Sequence, residues 1–306
     1  MKYKWNLKKS FDMSYIAYKL NKLREKHVMD KADAALKKKI LRYYNSIPLL
    51  EIDDEKKESL KYLRHNKFHV FPSNFIKKYN PEKIESFFDE VSGFPYVLHN
   101  GNKLYFKKGT PLRHVQKKYS SLLVEQDQAS PHRYLTSSFN VSPNDVIVDL
   151  GVAEGIFSLD IIDKVKYVYL FECDKEWIEA LKLTFSPWRD KVCIVNKYVS
   201  NIDKGDFISI DRFFADKEKQ PTLFKVDIEG YENKFLEGGE KTILENNSKV
   251  VICTYHKEGD FENISSWFIN RGFKIEPSKG YMLFPGENQP FDAPFFRKGL
   301  IRTCKI

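Results

Sequence analysis

The sequence predicts an open, doubly wound α/β domain behind a helical and hairpin extension, and three observations predict it. From Asp145 onward, short runs that are apolar throughout alternate with helix-like segments, the pattern of a mostly parallel sheet covered on both faces. The glycine-bearing stretch Asp149 to Gly155 closes the first run and opens a helix. Acidic residues, Glu172 and Asp227, stand at the ends of the second and fourth runs. A chain of 306 residues holds one large or two medium domains with a substantial core, and the change of pattern places the division between 1–130 and 131–306.

In chain order, helical stretches are expected at Asp12 to Arg42, Asp54 to His65 and Pro81 to Asp89. A hairpin joins Phe94 to Leu98 with Lys103 to Phe106 through His99-Asn100-Gly101-Asn102, since Asn-Gly supplies the positive φ angles of a tight turn. The five apolar runs are Val146 to Val148, Tyr167 to Phe171, Val192 to Val195, Leu223 to Val226 and Val250 to Cys253. Helices are expected around Ile156 to Asp163, Glu176 to Phe185 and Tyr231 to Leu244. A further helix, Asp260 to Asn270, ends at Gly272 and leads into Phe273 to Ile275 and Tyr281 to Phe284 across a Ser278-Lys279-Gly280 turn.

Charge divides the chain as clearly as hydropathy does. Residues 1 to 50 carry 13 Lys and Arg against 4 Asp and Glu, the whole of the net charge of +9. Ile16, Leu20, Leu23 and His27 share one helical face among Lys19, Lys22 and Lys26; such a face suits an anionic membrane or glycan carrier, or a solvated helix packed on its own domain. Apolar residues make up 42% and aromatic ones 15%, too many for a disordered chain. No apolar run approaches the roughly 20 residues of a membrane helix, and MKYKWNLKKS lacks the apolar core of a signal peptide. A soluble, cytoplasmic protein is expected, with Cys173, Cys193 and Cys253 as buried free thiols.

The chemistry lies at the strand ends. In Asp149-Leu150-Gly151-Val152-Ala153-Glu154-Gly155 the glycines let a ligand approach the backbone at a helix start. Twenty-one residues after Gly151, Glu172 is placed to accept both hydroxyl hydrogens of a ribose. NAD and S-adenosylmethionine both carry that ribose. A dinucleotide wants Gly-x-Gly-x-x-Gly, yet Asp149 stands at the first glycine position and the remaining pair is Gly-x-x-x-Gly. A carboxylate suits the ammonium and sulfonium of S-adenosylmethionine better than a diphosphate. Asp227, in Phe224-Lys225-Val226-Asp227-Ile228-Glu229-Gly230-Tyr231-Glu232, should border the same crevice, and His256, in Cys253-Thr254-Tyr255-His256-Lys257, the same rim.

DVIVDLGVAEGIFSL, YLFECD, SIDRFF, LFKVDIEGYENKFLEGG and CTYHKEGDF, in this order from about Tyr134 to the end, resemble the FkbM-type family of S-adenosylmethionine-dependent methyltransferases. The resemblance implies a mostly parallel, seven-stranded class I methyltransferase sheet. It also implies methylation of hydroxyls on sugars or polyketides, and a cofactor held by Asp149, Gly151, Gly155, Glu172 and Asp227. Val152-Ala153-Glu154 departs from the family, many members of which have an alanine-asparagine pair there.

Methyl transfer to a hydroxyl is an in-line displacement helped by a nearby base. His256 ranks first for that role, followed by Glu229 and Asp227. No metal is assigned, a divalent cation on Asp211 or Asp227 being the alternative route. A nucleic-acid acceptor is not expected, because the fourth strand lacks the Asn/Asp-Pro-Pro-aromatic run of amino-methylating enzymes. A non-catalytic binding module is the alternative of a different class. The acceptor is read as a glycan or related small or lipid-linked molecule, with Tyr96, Tyr105 and Phe106 of the first 130 residues facing the substrate or the core.

Overall fold

The structure, a computed structural model, describes residues 13–285 and 291–305, with side chains from residue 27 onward. The face of Ile16, Leu20 and Leu23, and most of the basic cluster, therefore lies outside the described side chains. Helix α1 (Met13–Asn45) leads to α2 (Asp54–His65), which starts where the Asp53 carboxylate accepts from the Lys56 amide. Ile40, Tyr44, Ile52, Leu60 and Leu63, from these helices and the segment that joins them, bury themselves against Leu283, Phe295 and Phe296.

Strands β1 (Phe87–Asp89), β2 (Phe94–His99) and β3 (Asn102–Tyr105) form a small antiparallel sheet. The hairpin turns at Asn100 and Gly101, both at positive φ, as the sequence predicts. Pro81 to Asp89 is a correction: only Pro81–Lys83 makes a short helical turn, and Phe87-Phe88-Asp89 instead pairs with Phe94 to Tyr96. Aromatic side chains fit a pleated ribbon better than an isolated turn of helix, and Phe87 stacks on Tyr96 with ring centroids 5.3 Å apart. Helix α3 (Leu112–Glu125) follows.

The main sheet is built from β4 (Val146–Leu150), α4 (Ile156–Ile161), β5 (Tyr167–Phe171), α5 (Lys175–Thr184) and β6 (Val192–Val195). After β6 come the two-residue strands β7 (Tyr198–Val199) and β8 (Phe207–Ile208), paired with each other, and α6 (Ile210–Phe214). The chain continues through β9 (Leu223–Val226), α7 (Glu232–Glu245), β10 (Lys249–Cys253), α8 (Asp260–Ile269), β11 (Phe273–Pro277) and β12 (Leu300–Lys305). Spatial order is β11-β12-β10-β9-β4-β5-β6, and only β12 runs antiparallel. This is the mostly parallel, seven-stranded class I methyltransferase sheet. The strand facing β11 is β12, not Tyr281 to Phe284, of which only Met282 bridges to Arg297.

Side chains alternate between two cores. Ile147, Val168, Leu170 and Val251 join a core that extends to Phe71, Val97, Leu104, Val115 and Val124 of the N-terminal region. Val148, Leu150, Phe171, Phe224 and Ile252 face α6, α7 and α8 on the other side. Strand order reverses between β4 and β9, where Leu150 pairs with Val226 and the Asp227 amide donates to the Leu150 carbonyl at 3.1 Å. Ligand crevices of doubly wound sheets open at such a reversal.

Candidate active site

At the end of β4, Gly151 (φ +73°), Ala153 (φ +46°) and Gly155 (φ +84°) make the turn into α4. A Cβ on Gly151 would meet the Asp227 carbonyl oxygen at 1.8 Å, and one on Gly155 would meet Leu181 at 2.8 Å. Glycine is thus demanded here by the chain's own close packing as well as by φ. Glu172, at the end of β5, accepts from the Ala153 amide on Oε2 and the Asp174 amide on Oε1, each at 2.8 Å. Each of its oxygens keeps a second lone pair.

Asp149 is 1% exposed. It accepts from Ser158 Oγ at 2.7 Å, and its Oδ1 lies 3.1 Å from Lys225 Nζ, a charge contact angled away from a directed hydrogen bond. Lys225 also donates to the carbonyls of Gly151 (2.7 Å) and Leu150 (3.3 Å). Burial works against the ammonium, but the charges of Asp149 and Asp227 outweigh it and raise its pKa. The Asp149 carboxylate is therefore spent inside the fold, tying β4, α4 and β9 together.

Asp227 is the hub of the neighbouring cluster. Tyr134 donates to its Oδ2 at 2.7 Å and Tyr255 to its Oδ1 at 3.3 Å; His132 Nε2 lies at 3.4 Å and His256 Nε2 at 3.5 Å. Burial would raise its carboxyl, yet the contact with His132 and the charges of His132, Lys225 and His256 hold it well below the carboxylate range.

His256 is 5% exposed. Its Nδ1 lies 3.0 Å from Glu232 Oε1 and its Nε2 3.4 Å from Glu229 Oε2, both off the direct N–H line, so the attraction is charge to charge. Burial disfavours the imidazolium; Glu229, Glu232 and Asp227 overcome it and raise the pKa to about 10. Held protonated at neutral pH, His256 can donate a hydrogen bond but has no lone pair for a hydroxyl proton. Glu229 sits at φ +54° with its side chain 83% exposed. Asp211 lies elsewhere, accepting from Thr242 on α7.

Among the described residues, two groups bring three potential metal-ligand atoms within 4.8 Å, His132–Asp227–Cys253 and Asp227–Glu232–His256. Both share Asp227, already taken by two tyrosines, and in the second the imidazole ring itself fills the space between the carboxylates. Of the thiols, Cys253 is buried while Cys173 and Cys193 are half-buried.

Glu232, Lys225 and Tyr255 lie inside the motifs already quoted but are not singled out by sequence reasoning. A lysine in an apolar strand was a usable signal, since a buried charge requires a partner. Glu125, His132 and Tyr134 reach the cluster from outside any motif.

Residues 198–275 match the model of the methyltransferase FkbM domain. Among solved structures, an FkbM methyltransferase from Methylobacillus flagellatus KT is similar at 18% identity and a TM-score of 0.45, over 63% of this chain and 53% of that one. The chain thus spans about half the length of that relative. A precorrin-6y C5,15-methyltransferase from Geobacter metallireducens GS-15 (9%, TM-score 0.38, 55% and 85%) and an rRNA methylase from Streptococcus thermophilus (17%, 0.35, 54% and 89%) are similar as well. No protein of curated function matches the chain by sequence.

Proposed function

We propose that the chain transfers a methyl group from S-adenosylmethionine to a hydroxyl of a glycan or related small or lipid-linked acceptor. The observation that carries this reading is the meeting, at the sheet's order reversal, of a glycine turn, a strand-end carboxylate and a second strand-end cluster. The residues suit the cofactor: Glu172 is fixed by two backbone amides with lone pairs to spare for ribose hydroxyls, beside the turn of Gly151 and Gly155. Asp149 supports that turn through Lys225, and Asp227 borders the crevice. When bound, the cofactor supplies a methyl carbon made electrophilic by its sulfonium. Asp227, fixed by Tyr134 and Tyr255, and the protonated His256 orient polar groups on the acceptor side. We assign residues 1–130 to the acceptor side and 131–306 to cofactor binding.

Calorimetry tests the reading. S-adenosylmethionine and S-adenosylhomocysteine should bind and NAD should not. Glu172→Ala should weaken binding at least about tenfold, the worth of one charge-assisted hydrogen bond of about 1.5 kcal/mol. Binding of NAD with neglect of S-adenosylmethionine would refute it.

A further inference from the structure

Beside the Asp227 cluster lies a cavity of about 560 Å³, walled by Phe71, Tyr79, Tyr255 and Phe284, with His132 and Glu125 among its polar lining. Glu125, the last residue of α3, is the one acidic residue in that lining. It is half-buried, and among the described residues its carboxylate makes no hydrogen bond or ion pair. Four other acids of the region are committed, and Glu229 is 83% exposed and outside the cavity lining. Asp149 is enclosed with Lys225, Asp227 serves two tyrosines, Glu232 is 1% exposed against His256, and Glu154 lies 3.4 Å from Lys118.

We propose that Glu125 is the general base of the methyl transfer, taking the proton of an acceptor hydroxyl held in this cavity. The inference rests on the methyl-transfer reading above. The acceptor oxygen gives its proton to the Glu125 carboxylate and forms a bond to the methyl carbon. The carbon–sulfur bond breaks with its electron pair passing to sulfur, so a sulfonium and a carboxylate become a thioether and a carboxylic acid. A base works best when its pKa lies near the working pH. Burial raises the Glu125 carboxyl to about 7; His132 and Lys225 pull it down, Asp227 and Glu154 push it up, and the hydroxyls of Tyr134 and Tyr255 also face it. The carboxylate, and with it the rate, should therefore increase as pH rises through neutrality.

The test uses the full chain saturated with S-adenosylhomocysteine, with side-chain carboxyl-labelled glutamate followed by carbon NMR and assigned against Glu125→Gln. The expected result is a carboxyl titrating near pH 7 whose signal moves when phenyl β-D-glucopyranoside, a hydroxyl-rich ring on an aromatic one, is added. Titration in the ordinary carboxylate range, or indifference to the glucoside, overturns the proposal whether or not the glucoside is methylated. Where methyl label from S-adenosylmethionine does pass to the glucoside, Glu125→Gln should lower turnover by about 10²–10⁴ and abolish the rise through pH 7, with cofactor affinity unchanged. Near-normal turnover in that variant overturns the assignment. Failure of S-adenosylhomocysteine to bind the unmodified chain is a separate result, which removes the methyl-transfer reading itself.

Discussion

With Asp227, Glu229 and Glu232 around it, His256 keeps its proton to about pH 10, and this has a sign in stability. A histidine raised in the folded state contributes stability that is complete below its unfolded pKa of about 6.5 and is lost as pH climbs through the folded value. Glu229 is too exposed to give much of it; Glu232 and Asp227 give the most. Melting curves should show the unmodified protein ahead of His256→Gln at pH 6, with the gap shrinking between pH 7 and pH 10. A constant gap would mean that the ring is uncharged. Position and chemistry were unequally legible here. Following an apolar strand put His256 on the rim, but its charge depends on Glu232, folded back from the start of α7, and on Asp227 from another strand. Glu125 was illegible for the same reason, since nothing beside it in the chain marks it and its neighbours arrive through folding.

The seam between β4 and β9 joins the two halves of the sheet through backbone pairing, the Gly151–Asp227 contact and the Lys225 ammonium. Lys225→Met should cost about 3–5 kcal/mol, because it strands the buried Asp149 charge. Gly151→Ala should cost as much or more, since its Cβ cannot coexist with the Asp227 carbonyl. Chemical denaturation of both variants, with cofactor calorimetry on whatever remains folded, measures this; a stable Gly151→Ala that binds normally would contradict the seam's geometry. Strands buried on both faces were readable because each is a continuous apolar run. Strand β12 (Leu300–Lys305) was not: Arg302, Thr303 and Lys305 break its apolar pattern, and the Arg302 guanidinium is accommodated only through the carbonyls of Arg133 and Tyr134 and the Glu276 carboxylate. Phe87–Asp89 was missed because a three-residue strand has too short a pattern to tell from a helical turn.

Across the whole molecule, charge and core are distributed differently. The basic excess is confined to residues 1–50, whereas one apolar core runs from Phe71 through Val124 into the central strands. Removing residues 1–30 should therefore leave cofactor binding intact and, where that segment contacts an anionic surface, abolish cosedimentation with anionic lipid vesicles, as should added salt. Vesicle binding absent from the full chain would leave a solvated helix. None of the described helices is long and apolar enough to cross a membrane. The core has a second implication. Phe71, Val124, Tyr255 and Met282 belong to it and also wall the 560 Å³ cavity, so the surface that selects a guest is the same one that keeps the chain folded. A lineage altering what the cavity admits could not freely resize these four without loosening the protein. Variation is cheapest at the polar positions His69, Lys117, Ser120 and Ser121, so divergence in preference should run ahead there while the apolar wall stays nearly constant.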